Sequence, residues 1–355
     1  MSAISLRGLR KLFGTVAAVD GLDLELPEGE LVALLGPSGC GKTTTLRMVA
    51  GFETPSAGTI SLGDRDVTSL PPEKRNCGMV FQNYALFPHL TVAENVGFGL
   101  EMRGVARAEI QKRVSEILDK VGMGALGARR PRQLSGGQQQ RTALARALVI
   151  NPAVLLLDEP LANLDAKLRE EMRFFIRSLQ REFRITTLYV THDQAEALVL
   201  ADRIVVMMDG RLQQIGKPEE LYRRPVNAAV ADFVGLTNLI PVTIRGRDGK
   251  TVALDSPTGP LCAPGIEGLA EGSEGWLSIR PEDLQLSASG AAPQGHNSIP
   301  GVVRDRAFLG NLADYRVATA GDQVLRVQAP AGAGFGPGDE VKVAFSLDSG
   351  WVLPR

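Results

Sequence analysis

The sequence predicts an α/β domain built on an at least partly parallel sheet, followed by a smaller all-β domain. Three observations predict it. The apolar run Leu31–Leu35 leads through a glycine turn into a helical stretch, the pattern of a buried strand feeding a helix. Two further apolar runs, Ala153–Leu157 and Thr187–Val190, flank a helix carrying Leu168, Met172, Ile176 and Leu179 on one face, which favours parallel pairing. Near 236–240 the composition shifts to Gly, Pro, Ala and Ser, with short alternating segments thereafter. A chain of 355 residues is too long for one ordinary domain and suits two.

The elements follow in order. The first thirty or so residues alternate apolar and polar (Ile4, Leu6; Val19, Leu22, Leu24, Leu26) with Gly and Pro punctuation, which predicts short antiparallel strands. After the buried strand Leu31–Leu35, a helix from Thr43 turns Leu46, Val49 and Ala50 inward and closes at Gly51. Strands are expected at Thr59–Leu62 and Gly78–Phe81. Roughly from 92 to 150 the pattern is helical, with apolar residues three and four apart in Glu109–Met123. In the tail, Trp276–Ile279 and Val341–Phe345 read as strands of a small β domain or of two short barrels. No strong internal repeat is visible.

Net charge is −1, which argues against a large nucleic-acid-binding face, and the cluster Ala128–Arg132 reads as solvated surface. Cys40, Cys77 and Cys262 have neither metal-ligand spacing nor a disulfide framework, so a reducing compartment is expected. No apolar run reaches the length of a membrane span, and the N-terminus MSAISLRGLR lacks a leader's apolar core. The expected location is the cytoplasm, with any membrane link made through a partner.

The chemistry concentrates in a few motifs. Gly36-Pro37-Ser38-Gly39-Cys40-Gly41-Lys42-Thr43 fits the phosphate-loop pattern G-x-x-x-x-G-K-[ST], between a strand and a helix as that loop requires. Its glycines let successive N–H groups face a phosphate, the helix adds its positive end, Lys42 a charge, and Thr43 a hydroxyl for Mg²⁺; Thr44 follows in the same turn. Cys40 reads as a small tolerated residue rather than a redox switch. Val154–Asp158 is an apolar strand ending in a carboxylate, with Glu159 next. Asp158 suits Mg²⁺ and Glu159 a general base for the attacking water. Gln82, after the strand at 78–81, suits contact with both Mg²⁺ and that water; His192, after Tyr189-Val190-Thr191, suits a γ-phosphate. Leu134-Ser135-Gly136-Gly137-Gln138 is a second glycine loop at a helix start, with Ser135 as N-cap.

In this order, phosphate loop, Gln82, LSGGQ at 134–138, LLLDEP at 155–160, Leu164-Asp165 and Thr191-His192-Asp193, the motifs resemble the ATP-binding cassette (ABC) ATPases. The resemblance spans about residues 3–235, and the whole ordered set is highly specific. More narrowly, LPPEKRNCGMVFQNYALFPHLTVAENV, LSGGQQQRTALARAL and VTHDQAEAL resemble the ATPase subunits of binding-protein-dependent importers of the maltose, polyamine and ferric-iron types. Ser278–Asp283 and Phe308–Asn311 look like the oligonucleotide-binding-like (TOBE) domain of that subgroup.

The resemblance implies a P-loop ABC domain at 1–235, with a RecA-like core, an antiparallel β subdomain and a helical subdomain at about 88–150, then an OB-like domain at 236–355. It implies ATP with Mg²⁺, and a homodimer in which Ser135, Gly136, Gly137 and Gln138 face the nucleotide of the other copy. Phe13 falls where the family stacks an aromatic on adenine, though a core residue of the strand fits the sequence as well. Asp165 falls in a loop crossing between subunits, and Ala162 stands where relatives often have Ser, which removes one hydrogen bond across the interface. The segment 83–96 resembles the surface that meets a permease subunit. For Phe87-Pro88-His89-Leu90 a partner surface and local packing both fit. Two permeases, fed by an extracytoplasmic solute-binding protein, and a peripheral place on the cytoplasmic face of the inner membrane complete the expectation. The tail wording Phe308-Leu309-Gly310-Asn311, Asp314–Val317 and Gly350–Leu353 leans to polyamine or ferric iron as solute. A soluble cassette ATPase acting on nucleic acid or the ribosome is the alternative, but paired cassettes, a long coiled-coil insertion or a basic linker are not seen. A small-molecule P-loop kinase would leave LSGGQ and the tail unexplained.

Overall fold

The computed structural model describes residues 3–249, 251–265, 270–288 and 295–355. Met1 and Ser2, which begin the stretch read for a leader, lie outside the described residues. The chain forms two compact units, Met1–Pro218 and Glu219–Arg355.

In the first unit, β1 (Ile4–Phe13) and β2 (Val16–Leu26) form a hairpin. Then come β3 (Leu31–Leu35), α1 (Lys42–Ala50), β4 (Ala57–Leu62), β5 (Arg65–Asp66) and β6 (Cys77–Val80). Three helices follow, α2 (Val92–Met102), α3 (Arg107–Lys120) and α4 (Gly136–Leu148). The unit ends with β7 (Val154–Asp158), α5 (Ala166–Phe183), β8 (Thr186–Thr191), α6 (Gln194–Leu200), β9 (Arg203–Met208) and β10 (Arg211–Gly216). One sheet is antiparallel, in the order β2-β1-β4-β5. The other runs β10-β9-β3-β8-β7-β6 and is parallel except for β10. A single apolar core joins them, with Leu6, Leu22 and Ile60 from the first sheet and Leu34, Leu156 and Val190 from the second.

Parallel pairing decides where the chemistry falls. Leu35 is level with Thr191, and Asp158 with Val190. The loops after β3, β7 and β8 therefore leave the same sheet edge, the carboxyl ends of parallel strands where α/β folds place ligands. The loop after β6 leaves beside that of β7.

The second unit begins within α7 (Pro218–Arg223), continues with α8 (Ala228–Phe233), and is otherwise β. Its strands are β11 (Asn238–Asp248), β12 (Thr251–Ser256), β13 (Gly259–Pro264), β14 (Glu274–Ile279), β15 (Gln285–Ala288), β16 (His296–Phe308), β17 (Leu312–Thr319), β18 (Val324–Pro330), β19 (Glu340–Ser346) and β20 (Trp351–Pro354). They make two antiparallel five-stranded sheets, β13-β12-β11-β14-β20 and β15-β19-β16-β17-β18. Ile240, Leu254, Leu277, Val303, Tyr315 and Phe345 belong to one core between them, rather than to one core per barrel.

The compact unit starts at Glu219, earlier than the composition shift near 236–240 and the boundary at 235/236 that the resemblance implies. The reason is Arg280, which is buried and whose guanidinium donates to the carbonyls of Tyr222, Ala231, Gly235 and Leu236 at 2.7–3.1 Å. Trp351 Nε1 adds a bond to Pro225 O at 3.1 Å. Helices whose composition matches the first unit are thus tied to strands of the second. Among the described residues no helix is long and apolar enough to cross a membrane.

Candidate active site

The phosphate loop wraps the start of α1. Gly41 caps the helix at φ 101°, and a Cβ there would lie 2.3 Å from Ala18 O, so only glycine fits. Lys42 is buried and turns back on the loop, Nζ donating to Gly36 O at 2.7 Å and Pro37 O at 2.8 Å. Ser38 and Gly39 are exposed at the crest, Cys40 is buried beneath, and Thr44 is half-buried. Burial pushes the Cys40 thiol up, against the pull of the Lys42 charge, which keeps it protonated and poorly reactive.

Across the sheet edge, Thr43 Oγ1 donates to Asp158 Oδ1 at 3.1 Å. Asp158 is buried, and burial raises its carboxyl above the ordinary value despite that bond. A hydroxyl and a desolvated carboxylate side by side are hard oxygen donors, which fit Mg²⁺. A cation there would reverse the local pKa logic and hold Asp158 ionised.

Glu159 sits just past the strand at φ 44°, a left-handed conformation uncommon outside glycine, with its N–H donating to Val190 O at 3.0 Å. That turn aims its carboxylate between two loops. Gln82 Nε2 donates to Oε2 at 3.4 Å, and His192 Nδ1 lies 3.1 Å from Oε1. Gln82, Glu159 and His192 thus meet, Gln82 being engaged by the glutamate. Behind them lie residues that sequence reasoning missed. Asn163 Nδ2 donates to Gln82 O at 2.8 Å, and Glu196 Oε2 accepts from both Tyr189 and Thr191 at 2.8 Å, fixing the strand end before His192. Glu196 is three residues past the helix-capping Asp193, a spacing that marks a capped helix start.

The other predicted residues form separate groups. Phe13 ends β1 with half its surface exposed and Lys11 Nζ 4.9 Å from its ring centre, which rules out a core role. Ser135 caps α4 in a reciprocal box: its Oγ accepts from Gln138 N at 3.4 Å, and its N–H donates to Gln138 Oε1 at 3.0 Å. Side chains at 136 and 137 would press on Leu164 and Leu168, at 3.1 and 3.0 Å, so the glycines also permit close packing inside their own subunit. Asp165 caps α5, Oδ1 accepting from Leu168 N at 2.9 Å.

Phe87–Leu90 divides between its two readings. Phe87 is half-buried against Phe98, ring centres 4.6 Å apart, whereas Pro88 and His89 are exposed. Buried Asn95 holds the turn by accepting from Phe87 N and donating to the carbonyls of Phe87, Leu90 and Thr91, at 2.8–3.2 Å.

A family model described as ABC transporter matches residues 19–162, and a TOBE domain model matches 277–353. The chain is 47% identical to the "Spermidine/putrescine import ATP-binding protein PotA" of Frankia alni, over 100% of this chain and 80% of the relative. It is 46% identical to PotA 1 of Pseudomonas aeruginosa, over 99% and 97% of the two chains. With the "Fe(3+) ions import ATP-binding protein FbpC 1" of Rhizobium meliloti it shares 45% identity over 97% and 95%. Among solved structures, a dimeric post-hydrolysis state of the cassette MJ0796 bound to ADP and Pi matches with TM-score 0.54 and 33% identity, over 61% of this chain and 98% of that one. Phosphate loop, strand-end carboxylates, capped glycine loop and β-rich tail, together with kinship over the whole length, establish that the chain belongs to the ATP-binding cassette transporter ATPases and carries a TOBE domain.

Proposed function

We propose that this chain is the ATP-hydrolysing subunit of a solute importer, working as a homodimer that encloses two ATP molecules between phosphate loop and LSGGQ. The carrying observation is Glu159, held in a left-handed turn one residue after Asp158 and bracketed by Gln82 and His192. Phe13 stacks on adenine. The backbone N–H groups of 38–44 and the Lys42 ammonium hold the phosphates. Thr43 and Asp158, with Gln82, would hold Mg²⁺, which supplies charge neutralisation for the leaving phosphates. Glu159 takes a proton from the attacking water while His192 orients toward the γ-phosphate, and Gln82 is released to the water as the site fills. Ser135–Gln138 and Asp165 complete the site of the other copy. Two permease subunits at the cytoplasmic face of the inner membrane receive the stroke, in part through exposed Pro88 and His89, and a solute-binding protein supplies the cargo.

Glu159→Gln should abolish turnover and leave an ATP-bound dimer stable on gel filtration; turnover at the normal rate would remove Glu159 from the role of base. Relatives named for spermidine/putrescine and for Fe(3+) import support a polyamine or ferric-iron cargo, and polyamine is the one proposed. Loss of labelled spermidine uptake in a deletion strain, with ferric-iron uptake intact, is the expected result.

A further inference from the structure

Two loops with different duties leave one side of α5. The turn ending at Asp165 precedes the helix, and the Thr191–Asp193 turn carrying His192 packs beside it. Arg169, one turn into α5, reaches both. Its Nη2 donates to Leu164 O at 3.1 Å, while Nη1 lies 3.6 Å from Asp193 Oδ2. Its Nε is buried, lies 4.0 Å from Glu196 Oε1, and has no hydrogen-bond partner. Asp193 and Glu196 are in turn the groups that shape the His192 turn: Asp193 N donates to Thr191 Oγ1 at 2.9 Å, Thr191 Oγ1 donates to Glu196 Oε2 at 2.8 Å, and Glu196 N donates to Asp193 Oδ1 at 3.1 Å. Arg173, one turn further on, holds Asp193 Oδ2 at 3.2 Å. Arg173, whose own Nε is also buried without a hydrogen-bond partner, fastens the His192 turn to the helix through Nη2, whereas Arg169 is hydrogen-bonded to the Asp165 turn and meets the other only as a looser ion pair.

The Arg169 side chain keeps 31% of its surface exposed, but its Nε is buried and idle, which is costly, and two carboxylates stand within about an ångström of completing its fork. Such an arrangement has a second state close by. A small shift of the Asp165 turn would carry Arg169 into full contact with Asp193 and Glu196, and so bring His192 with it.

We propose that Arg169 is a positioning residue that couples the two ATP sites, transmitting the placement of the Asp165 turn to His192 of the same chain. The inference rests on the sandwich dimer proposed above, in which Asp165 lies at one site and His192 serves the other. Filling one site then sets the histidine of the second, and hydrolysis becomes cooperative in ATP.

The test uses full-length chain with Arg169→Met, which keeps the apolar stem, and Arg169→Lys, which keeps the charge but loses the fork. Arg169→Met should lower kcat about tenfold with KM for ATP within about twofold, a loss of an interaction expressed after binding. The dependence of rate on ATP should change from sigmoidal to hyperbolic, and Arg169→Lys should restore little of it. Melting temperatures report folding, and a Glu159→Gln, Arg169→Met double variant should still elute as an ATP-bound dimer. Normal sigmoidal kinetics in Arg169→Met, a hyperbolic wild type, or a kcat loss that merely tracks lost folding would overturn the coupling while leaving the sandwich intact. Failure of Glu159→Gln alone to dimerise with ATP would overturn the sandwich, and this inference with it.

Discussion

Phe13 illustrates how one side chain acquires meaning from its surroundings. An aromatic ring half exposed at a strand end, with an ammonium 4.9 Å above it, contributes little to folding. Half of its surface is open beside that cation, and stacking on a flat base is the interaction it is equipped to make. Phe13→Ala should raise KM for ATP about fivefold to tenfold with kcat and melting temperature nearly unchanged, because aromatic stacking is worth about 1 kcal/mol or somewhat more. Phe13→Tyr should behave as the native chain does. A steady-state titration decides it, and an Ala variant with unaltered KM would return Phe13 to the bare surface.

Among the elements, the helical region around α4 repays attention, because its two anchors face different ways. At its start, Gly136 and Gly137 lie against Leu164 and Leu168; further along, Arg146 donates to Tyr84 O and Ala85 O at 2.7 Å. Arg146 and Asn95 together hold the chain from 84 to 91, with its exposed Pro88 and His89, in one shape. Asn95→Ala would leave two part-buried backbone groups, the N–H of Phe87 and the carbonyl of Leu90, without this partner, at about 1–3 kcal/mol each before relaxation. It should lower the melting temperature by several degrees, and calorimetry checks it; an unshifted transition would mean that the segment keeps its shape without Asn95. None of this was legible in the sequence. The phosphate loop, Ser135 cap and strand-end carboxylates were, because phosphate chemistry and capping demand particular residue types at particular spacings. Asn95, Arg146 and Arg169 bond to main-chain carbonyls, which every residue has and no pattern marks. The Gln82–Glu159 contact joins positions 77 apart, and only the sheet order makes them neighbours.

For the molecule as a whole, the first consequence concerns where it divides. A fragment ending at residue 235 would retain α7 and α8 but lose Arg280 and Trp351, their partners at Tyr222, Pro225, Ala231 and Gly235. Amides of 219–235 should exchange with solvent far faster in that fragment than in the full chain, measured by hydrogen-exchange mass spectrometry. Equal protection in both would put these helices with the first unit. Composition could not reveal this, since a linker helix resembles any other helix until its partner strand is known.

Lys42, finally, does more than carry a charge. Its ammonium rests on the carbonyls of Gly36 and Pro37, at 2.7 and 2.8 Å. The far end of a long side chain is thereby tied to the start of its own loop, so the lysine acts as a clasp that closes the turn on itself. Replacing it by an apolar residue of similar length would remove the clasp together with the charge, and would cost the loop its shape as well as its electrostatics.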